Sequence, residues 1–347
     1  MNLAKSKLQK YFSFENNTIA YLIFLSILIF LILYNKFIFG NFVFFFRDVG
    51  SDSINVTLPN YIESSNLLKK EGFLNFWSFF RGMGQKTGNP ITINPFFYIN
   101  TLLLYTFGYQ LSYYRIIIYF FLYILPSGIV TSLLFKNLNL NKYTSFIGAL
   151  IFEFSGYMII GSQWGHAYKI FYFIFLIFSF EQLLIKKRWW LIPIAFYFLS
   201  DNTFLMLTDS IFLLTYSFIR FYETRSKKFS EYVKFMFLIA GLALIGIAAN
   251  APRFSTNLLI MLQSPRVLGN AGLTSSLLAH PEQLDSKLRI ISTILRLFAN
   301  DLLGTGSNFT GWKNYLEAPL FYIGLLPLIL IPLFFTKKDK KTLHLAF

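Results

Sequence analysis

TIAYLIFLSILIFLILYNKFIF, running from Thr18 to Phe39, is the stretch that decides the fold. It is apolar for long enough to cross a bilayer, which takes about 20 helical residues. Lys5, Lys7 and Lys10 precede it, the charge order of a secretory signal. The run is nevertheless too long for a signal core, and no small-x-small cleavage site follows it, so it is an uncleaved first span. Working outward, comparable runs recur near 115–135, 144–160, 168–185, 189–199, 203–219, 235–250 and 318–335. The expected fold is an all-α polytopic membrane protein with about eight transmembrane helices.

Composition agrees. Hydrophobic residues make up 55% of the chain and charged residues 14%, where a soluble domain carries about a quarter. The formal net charge of +15 does not point to nucleic acid, because the basic residues are scattered among apolar runs with no basic, aromatic-interleaved stripe. The absence of cysteine excludes disulfides, thiolate metal sites and cysteine nucleophiles.

The basic residues instead set topology. Lys5/Lys7/Lys10, Lys136/Lys142, Lys186-Lys187-Arg188, Arg220 to Lys234 and Lys337 to Lys341 fall on one side if there are eight spans. By the positive-inside rule that side is the cytoplasm. Residues 1–17 then form a cytoplasmic N-terminus, 18–335 the transmembrane domain and 336–347 a cytoplasmic basic tail. Two external loops result, about 40–112 and 251–317, both longer than simple connections. Within the first, Thr57 as a cap, Pro59 in a first turn and Gly72 as a stop predict a helix with Leu58, Tyr61, Ile62 and Leu68 on one face. The apolar piece 94–107 is short for a span and is expected to be interfacial or re-entrant. The pair 189–199 and 203–219 predicts a tight hairpin whose Asp201-Asn202 tip lies below the membrane surface.

Candidate chemistry starts at the external mouth of the first span, in Phe46-Arg47-Asp48-Val49-Gly50-Ser51-Asp52. Only 16 residues of 347 are acidic, so two carboxylates four apart beside a span are a candidate catalytic pair. The bland alternative is a solvated turn with Asp52 or Ser53 capping the next helix. Glu153, Glu181 and Asp209 lie within spans, where an ionisable group faces a partner or a cavity. Glu181 is expected to pair with the nearby Lys186-Lys187-Arg188 cluster, and Glu153 to serve a polar cavity or another helix. His166 and Lys169 sit where helices emerge and could bind a lipid phosphate; alternatively the turn is an interfacial anchor with Trp164 and Tyr168 in the aromatic belt. Arg253 and Arg266 in the second loop are further phosphate-binding candidates. The histidines lack metal-ligand spacing, no Gly-x-Ser-x-Gly elbow is present, and the glycine-rich turn at 81–90 is not a P-loop. No cofactor is required by the sequence. A divalent metal at Asp48 and Asp52 is conceivable, but one loop supplies few ligands.

Several stretches together resemble bacterial YfhO-type membrane proteins. They are the acidic first loop, Trp77-Ser78-Phe79-Phe80-Arg81-Gly82-Met83-Gly84-Gln85, Gly165-His166-Ala167-Tyr168-Lys169, and Asp301-Leu302-Leu303-Gly304-Thr305-Gly306-Ser307-Asn308 with Asn314 to Leu326. The likeness runs from about 40 to 335 and is most specific in its last part. It implies a GT-C-like glycosyltransferase fold and transfer of a sugar from a polyprenyl-phosphate donor to a cell-envelope acceptor such as lipoteichoic acid, on the outer face of a bacterial cell membrane. Matched by position, Asp48 would be the catalytic acidic residue and Asp52 its companion. Family members are usually far longer, so this chain is expected to correspond to their N-terminal portion. A lipid or polymer transporter and a non-catalytic envelope-assembly scaffold stay open as alternatives.

Overall fold

The computed structural model describes residues 17–40, 42–44, 53–71, 77–79, 84–86, 95–163, 167–225, 228–263, 287–312, 315 and 318–336. Helix α1 (Thr18–Leu33) is the opening apolar run; it breaks at Tyr34 and continues for one turn, Asn35–Ile38. Helix α2 (Leu58–Glu71) has the predicted extent, with Pro59 in its first turn, where a proline costs no hydrogen bond. A two-stranded ribbon, β1 (Trp77–Ser78) and β2 (Gln85–Lys86), departs from the all-helical expectation. Gly84 enters β2 at φ +111°, which a side chain would strain. Ser78 donates a hydrogen bond to Glu63 and so ties the ribbon to α2. Helix α3 (Pro95–Phe107) is the short apolar piece.

Among the described residues, five segments are helices long and apolar enough to cross a membrane, and the chain is a multi-pass membrane protein. The first is α4 (Arg115–Asn137), which contains a π-helical turn at Phe120–Ile124. Pro126 follows, and the wider turn accommodates the missing N–H and the ring that would press on the preceding turn. The second is a broken helix, α5 (Lys142–Glu153) and α6 (Gly156–Gln163). Asn139, at φ 60°, makes the tight reversal between α4 and α5, a conformation asparagine tolerates well. The remaining three are α7 (Ala167–Lys186), α9 (Thr203–Thr224) and α10 (Phe229–Ala249), with the short α8 (Leu191–Leu199) between α7 and α9. Helices α11 (Ala251–Leu262), α12 (Lys287–Phe298) and α13 (Leu325–Thr336) complete the described residues.

Helix α7 is the hub, buried from Phe171 to Leu184 against α4, α8 and α9. The outer faces are apolar instead: Phe204, Leu207, Ile211 and Phe218 on α9 are all exposed. A contiguous apolar exterior of this kind suits lipid and not water. Helices α8 and α10 approach so closely that a methyl at Gly246 would overlap the Pro193 carbonyl. Because the obstacle is backbone, Gly246→Ala is expected to cost about 1–3 kcal/mol through overpacking. Thermal unfolding in detergent measures this, and an unchanged Tm would show that the two helices can separate freely.

Among the described residues, the basic groups around Lys136/Lys142, Lys186-Lys187-Arg188 and Arg220/Arg225 gather at one end of the bundle. Lys186 Nζ bonds Asn137 Oδ1 at 3.0 Å, and Arg225 donates to the Leu183 and Leu184 carbonyls that end α7. Glu181 forms an ion pair there, as expected, but with Arg220 of α9 at 2.7 Å and not with the lysines that follow it in sequence. Glu153 meets another helix, accepting from Ser26 of α1 at 2.7 Å. Gly128 of α4 makes room for its carboxylate, since a methyl there would overlap it. The second Glu153 oxygen has no hydrogen-bond partner among the described residues.

Candidate functional site

At the end of the bundle opposite the basic clusters, two helix breaks face each other. The α8–α9 hairpin turns through Ser200, Asp201 and Asn202, and the Asn202 side chain caps α9 by accepting from the Leu205 N–H at 3.1 Å. Across from it, Asn250 interrupts the chain between α10 and α11, and Pro252 lies in the first turn of α11. Polar residues at such breaks satisfy backbone groups that the helices leave unpaired.

The two breaks are cross-linked. Asn250 Nδ2 donates to Asp201 Oδ1 and to Ser200 Oγ, each at 2.9 Å. Asn257 Nδ2 donates to the Asp201 carbonyl at 2.7 Å. Arg253 Nε lies 3.1 Å from Asp201 Oδ1; the Asp201 side chain is 9% exposed and that of Arg253 31%. The carboxylate is therefore nearly buried while the guanidinium is partly exposed. The Arg253 terminal nitrogens make no hydrogen bond with a described residue, so its fork is available to an anion. Tyr197 Oη, Thr203 Oγ1 and Asn250 Oδ1 are buried around this tip without partners among the described residues. Buried polar atoms of this kind call for water or a polar ligand group.

Aromatic side chains pack beside the hairpin. Phe198 stacks on Tyr172 at 5.3 Å, which puts the tip beside the second turn of α7 and not beyond its start. The hairpin tip thus packs beside the first turns of α7. Phe96 of α3 inserts among Tyr123, Phe171 and Phe198 at 5.3, 5.9 and 5.4 Å. The short apolar piece of the first loop is therefore docked on this end of the bundle. The Tyr168 hydroxyl meets the Asn202 side chain, and Arg253 is near enough to act on Tyr168 electrostatically.

Of the candidates from sequence, Arg253 lies in this cluster and Lys169 is half-buried in the first turn of α7, next to Tyr168. Asp48, Asp52, His166 and Arg266 lie outside the described residues. Asp201, Asn250 and Asn257 were not among the candidates. The one available signal was Asp201-Asn202 at a tight turn between two apolar runs; nothing local marks Asn250 or Asn257 as its partners. Among the described residues, no group of three or more acidic or histidine side chains could hold a metal ion.

Helix α12 carries a fully buried cation, Arg296. Arg296 donates to the Asn300, Tyr315 and Ala318 carbonyls at 2.9, 2.9 and 3.0 Å. Its guanidinium lies 4.9 Å from the Phe309 ring centroid and 4.7 Å from that of Tyr315. Tyr315 donates to Asp301 at 2.5 Å; burial and that carboxylate push its phenol up, so it stays a donor. Gly156 donates to the Tyr322 carbonyl at 2.8 Å, joining this segment to the start of α6. No family model matches the chain, and no curated protein or solved structure matches it either.

Proposed function

We propose that the protein is a membrane glycosyltransferase that moves a sugar from a polyprenyl-phosphate donor to a cell-envelope acceptor such as lipoteichoic acid. In this proposal α1, α8 and α13 complete an eight-span, GT-C-like arrangement, the basic end faces the cytoplasm of a bacterium, and the Asp201–Arg253 cluster faces the exterior. The observation that carries it is the Arg253 fork, paired with a nearly buried carboxylate yet without an acceptor on its terminal nitrogens among the described residues, at an end of the bundle rich in aromatic side chains. Such a group suits a phosphate whose charge grows as the sugar leaves. Lys169 would add a second positive charge, and His166 and Arg266 are the further candidates on the same loops. The acceptor hydroxyl attacks the anomeric carbon, the bond to the phosphate oxygen breaks, and Asp48 takes the hydroxyl proton. Asp52 would assist it.

Envelope-polymer glycosylation in cells lacking the protein tests this, with complementation by wild type, Asp48→Asn or Arg253→Met at equal membrane levels. Wild type is expected to restore the sugar, Asp48→Asn to abolish it, and Arg253→Met to lower it about 100-fold. Full restoration by Asp48→Asn would end the transferase proposal. A transporter is the second reading, favoured by the half-unpartnered carboxylate of Glu153 inside the bundle. It is distinguished by loss of function in Glu153→Gln with Asp48→Asn unaffected.

A further inference from the structure

Helix α12 is amphipathic in the reverse of the sense expected in water, where the apolar side turns inward. Its polar side is turned into the protein. Ser292 and Arg296 are fully buried. Ser292 accepts from the Trp312 N–H at 2.8 Å, and Arg296 holds the Asn300, Tyr315 and Ala318 carbonyls. Arg289, one turn before Ser292, lies 4.9 Å from the Trp312 ring centroid. The other side carries Leu288, Ile290, Ile291, Ile294 and Phe298, each about half exposed.

The level of α12 in the bundle follows from what its C-terminal end touches. Asn300, just past that end, packs on Gly156, where a methyl would overlap its side chain. Tyr315 clusters with Ile160, and the Tyr322 carbonyl accepts from the Gly156 N–H. Gly156 and Ile160 belong to α6, the second half of the Lys142–Ser162 span. From Gly156 to Ser162 is roughly 9 Å at the rise of an α-helix. The end of α12 is therefore inside the span and not above it. Non-helical backbone at that depth needs donors from the protein, and Arg296 supplies them to three carbonyls.

We infer that the apolar face of α12 binds lipid acyl chains, so that α12 is embedded in the bilayer and is not part of an aqueous loop. In water this orientation leaves five large apolar side chains wet. In lipid it is the favourable one, with the arginine inward on backbone carbonyls and the apolar residues outward. The face continues the lipid-facing exterior of the bundle, where Phe204, Leu207 and Ile211 of α9 are exposed in the same way. At this depth a soluble partner has no access. The helix has 12 residues, about 18 Å, and so enters a hydrocarbon core of about 30 Å without crossing it. Lys287 is exposed at its first residue, on the stripe of Ile291, Ile294 and Phe298, and its long stem reaches back to the headgroups. The inference holds whichever end of the bundle faces the cytoplasm, and it is independent of the transferase reading.

The chain has no cysteine, so single nitroxide labels test this directly in the full chain, reconstituted in phosphatidylcholine nanodiscs. Ile291→Cys, Ile294→Cys and Phe298→Cys carry the label on the apolar face. Ile211→Cys on α9 is the lipid-facing reference, and Arg188→Cys, exposed between α7 and α8, is the aqueous one. Each label is read for collisions with oxygen, which concentrates in lipid, and with a water-soluble nickel chelate. All three α12 sites are expected to match Ile211→Cys, with an oxygen-to-nickel ratio several-fold above that at Arg188→Cys. Because these side chains are exposed, the labelled variants are expected to keep the wild-type Tm. Nickel collisions as frequent as at Arg188→Cys would put the face in water and overturn the inference. Protection from both reagents would mean that protein covers the face, from this chain or a second copy, and would overturn it too.

Discussion

Arg220→Met is expected to cost roughly 3–5 kcal/mol of stability, the size usual when one partner of a buried pair is removed. Glu181 is fully buried, and Arg220 holds both its oxygens, Nε at 2.7 Å and Nη2 at 3.0 Å. Tyr216 adds a third bond at 2.7 Å. Without the guanidinium, the carboxylate keeps only the Tyr216 phenol among its partners in the described residues. The Arg220–Glu223 contact, at a more exposed position, contributes little by comparison. Double substitution, Arg220→Met with Glu181→Gln, is expected to recover much of the loss, because the expensive species is the unpaired charge and not the missing bond. Tm and chemical unfolding of the single and double variants in the same detergent measure this. A single variant within about 0.5 kcal/mol of wild type, the range of ordinary surface substitutions, would mean that water reaches Glu181.

Arg296→Met is the second large effect, and it is expected to be local. Three carbonyls from Asn300, Tyr315 and Ala318 converge on one guanidinium. Each loses a charge-assisted bond on substitution, and leaving buried acceptors unpaired costs about 1–3 kcal/mol apiece. The cation–π contacts with Phe309 and Tyr315 go as well. The segment held by Arg296 through the Asn300, Tyr315 and Ala318 carbonyls is expected to come off the bundle while α4 to α10 stay folded. Hydrogen exchange reports this as protection lost at 300–318 and kept in α7. Arg296→Lys should fail to restore it, since an ammonium cannot span three carbonyls in the plane of a fork. Rescue by lysine would show that charge alone suffices.

Much of the fold was legible along the chain. The α2 boundaries follow from Pro59 and Gly72, and the short α8 from the few apolar residues between Arg188 and Asp201. The expected spans at 189–199 and 318–335 form helices of only 9 and 12 residues, Leu191–Leu199 and Leu325–Thr336. Hydropathy marks an apolar stretch but not where its backbone stops being helical. In the site, Arg253 was a candidate because it is basic and near a span. Its partner Asp201 stood out only as a turn residue, although the two are linked through Asn250 and Asn257 across separate helix junctions.

The sequence by itself determined the membrane class and the reversal at Asp201-Asn202 between two helices. These depend on local quantities: the length of an apolar run, the charge at its ends, and the few residues available for a reversal. Tertiary structure alone decided who pairs with whom. Glu181 passes over its sequence neighbours Lys186, Lys187 and Arg188 for Arg220 because α7 and α9 lie side by side with those faces turned together. Arg253 meets Asp201, Arg296 meets the Tyr315 carbonyl and Ser26 meets Glu153 for the same reason. A helix fixes the spacing of its own side chains, but which neighbour they face is set by the packing of whole helices and their rotation about their axes.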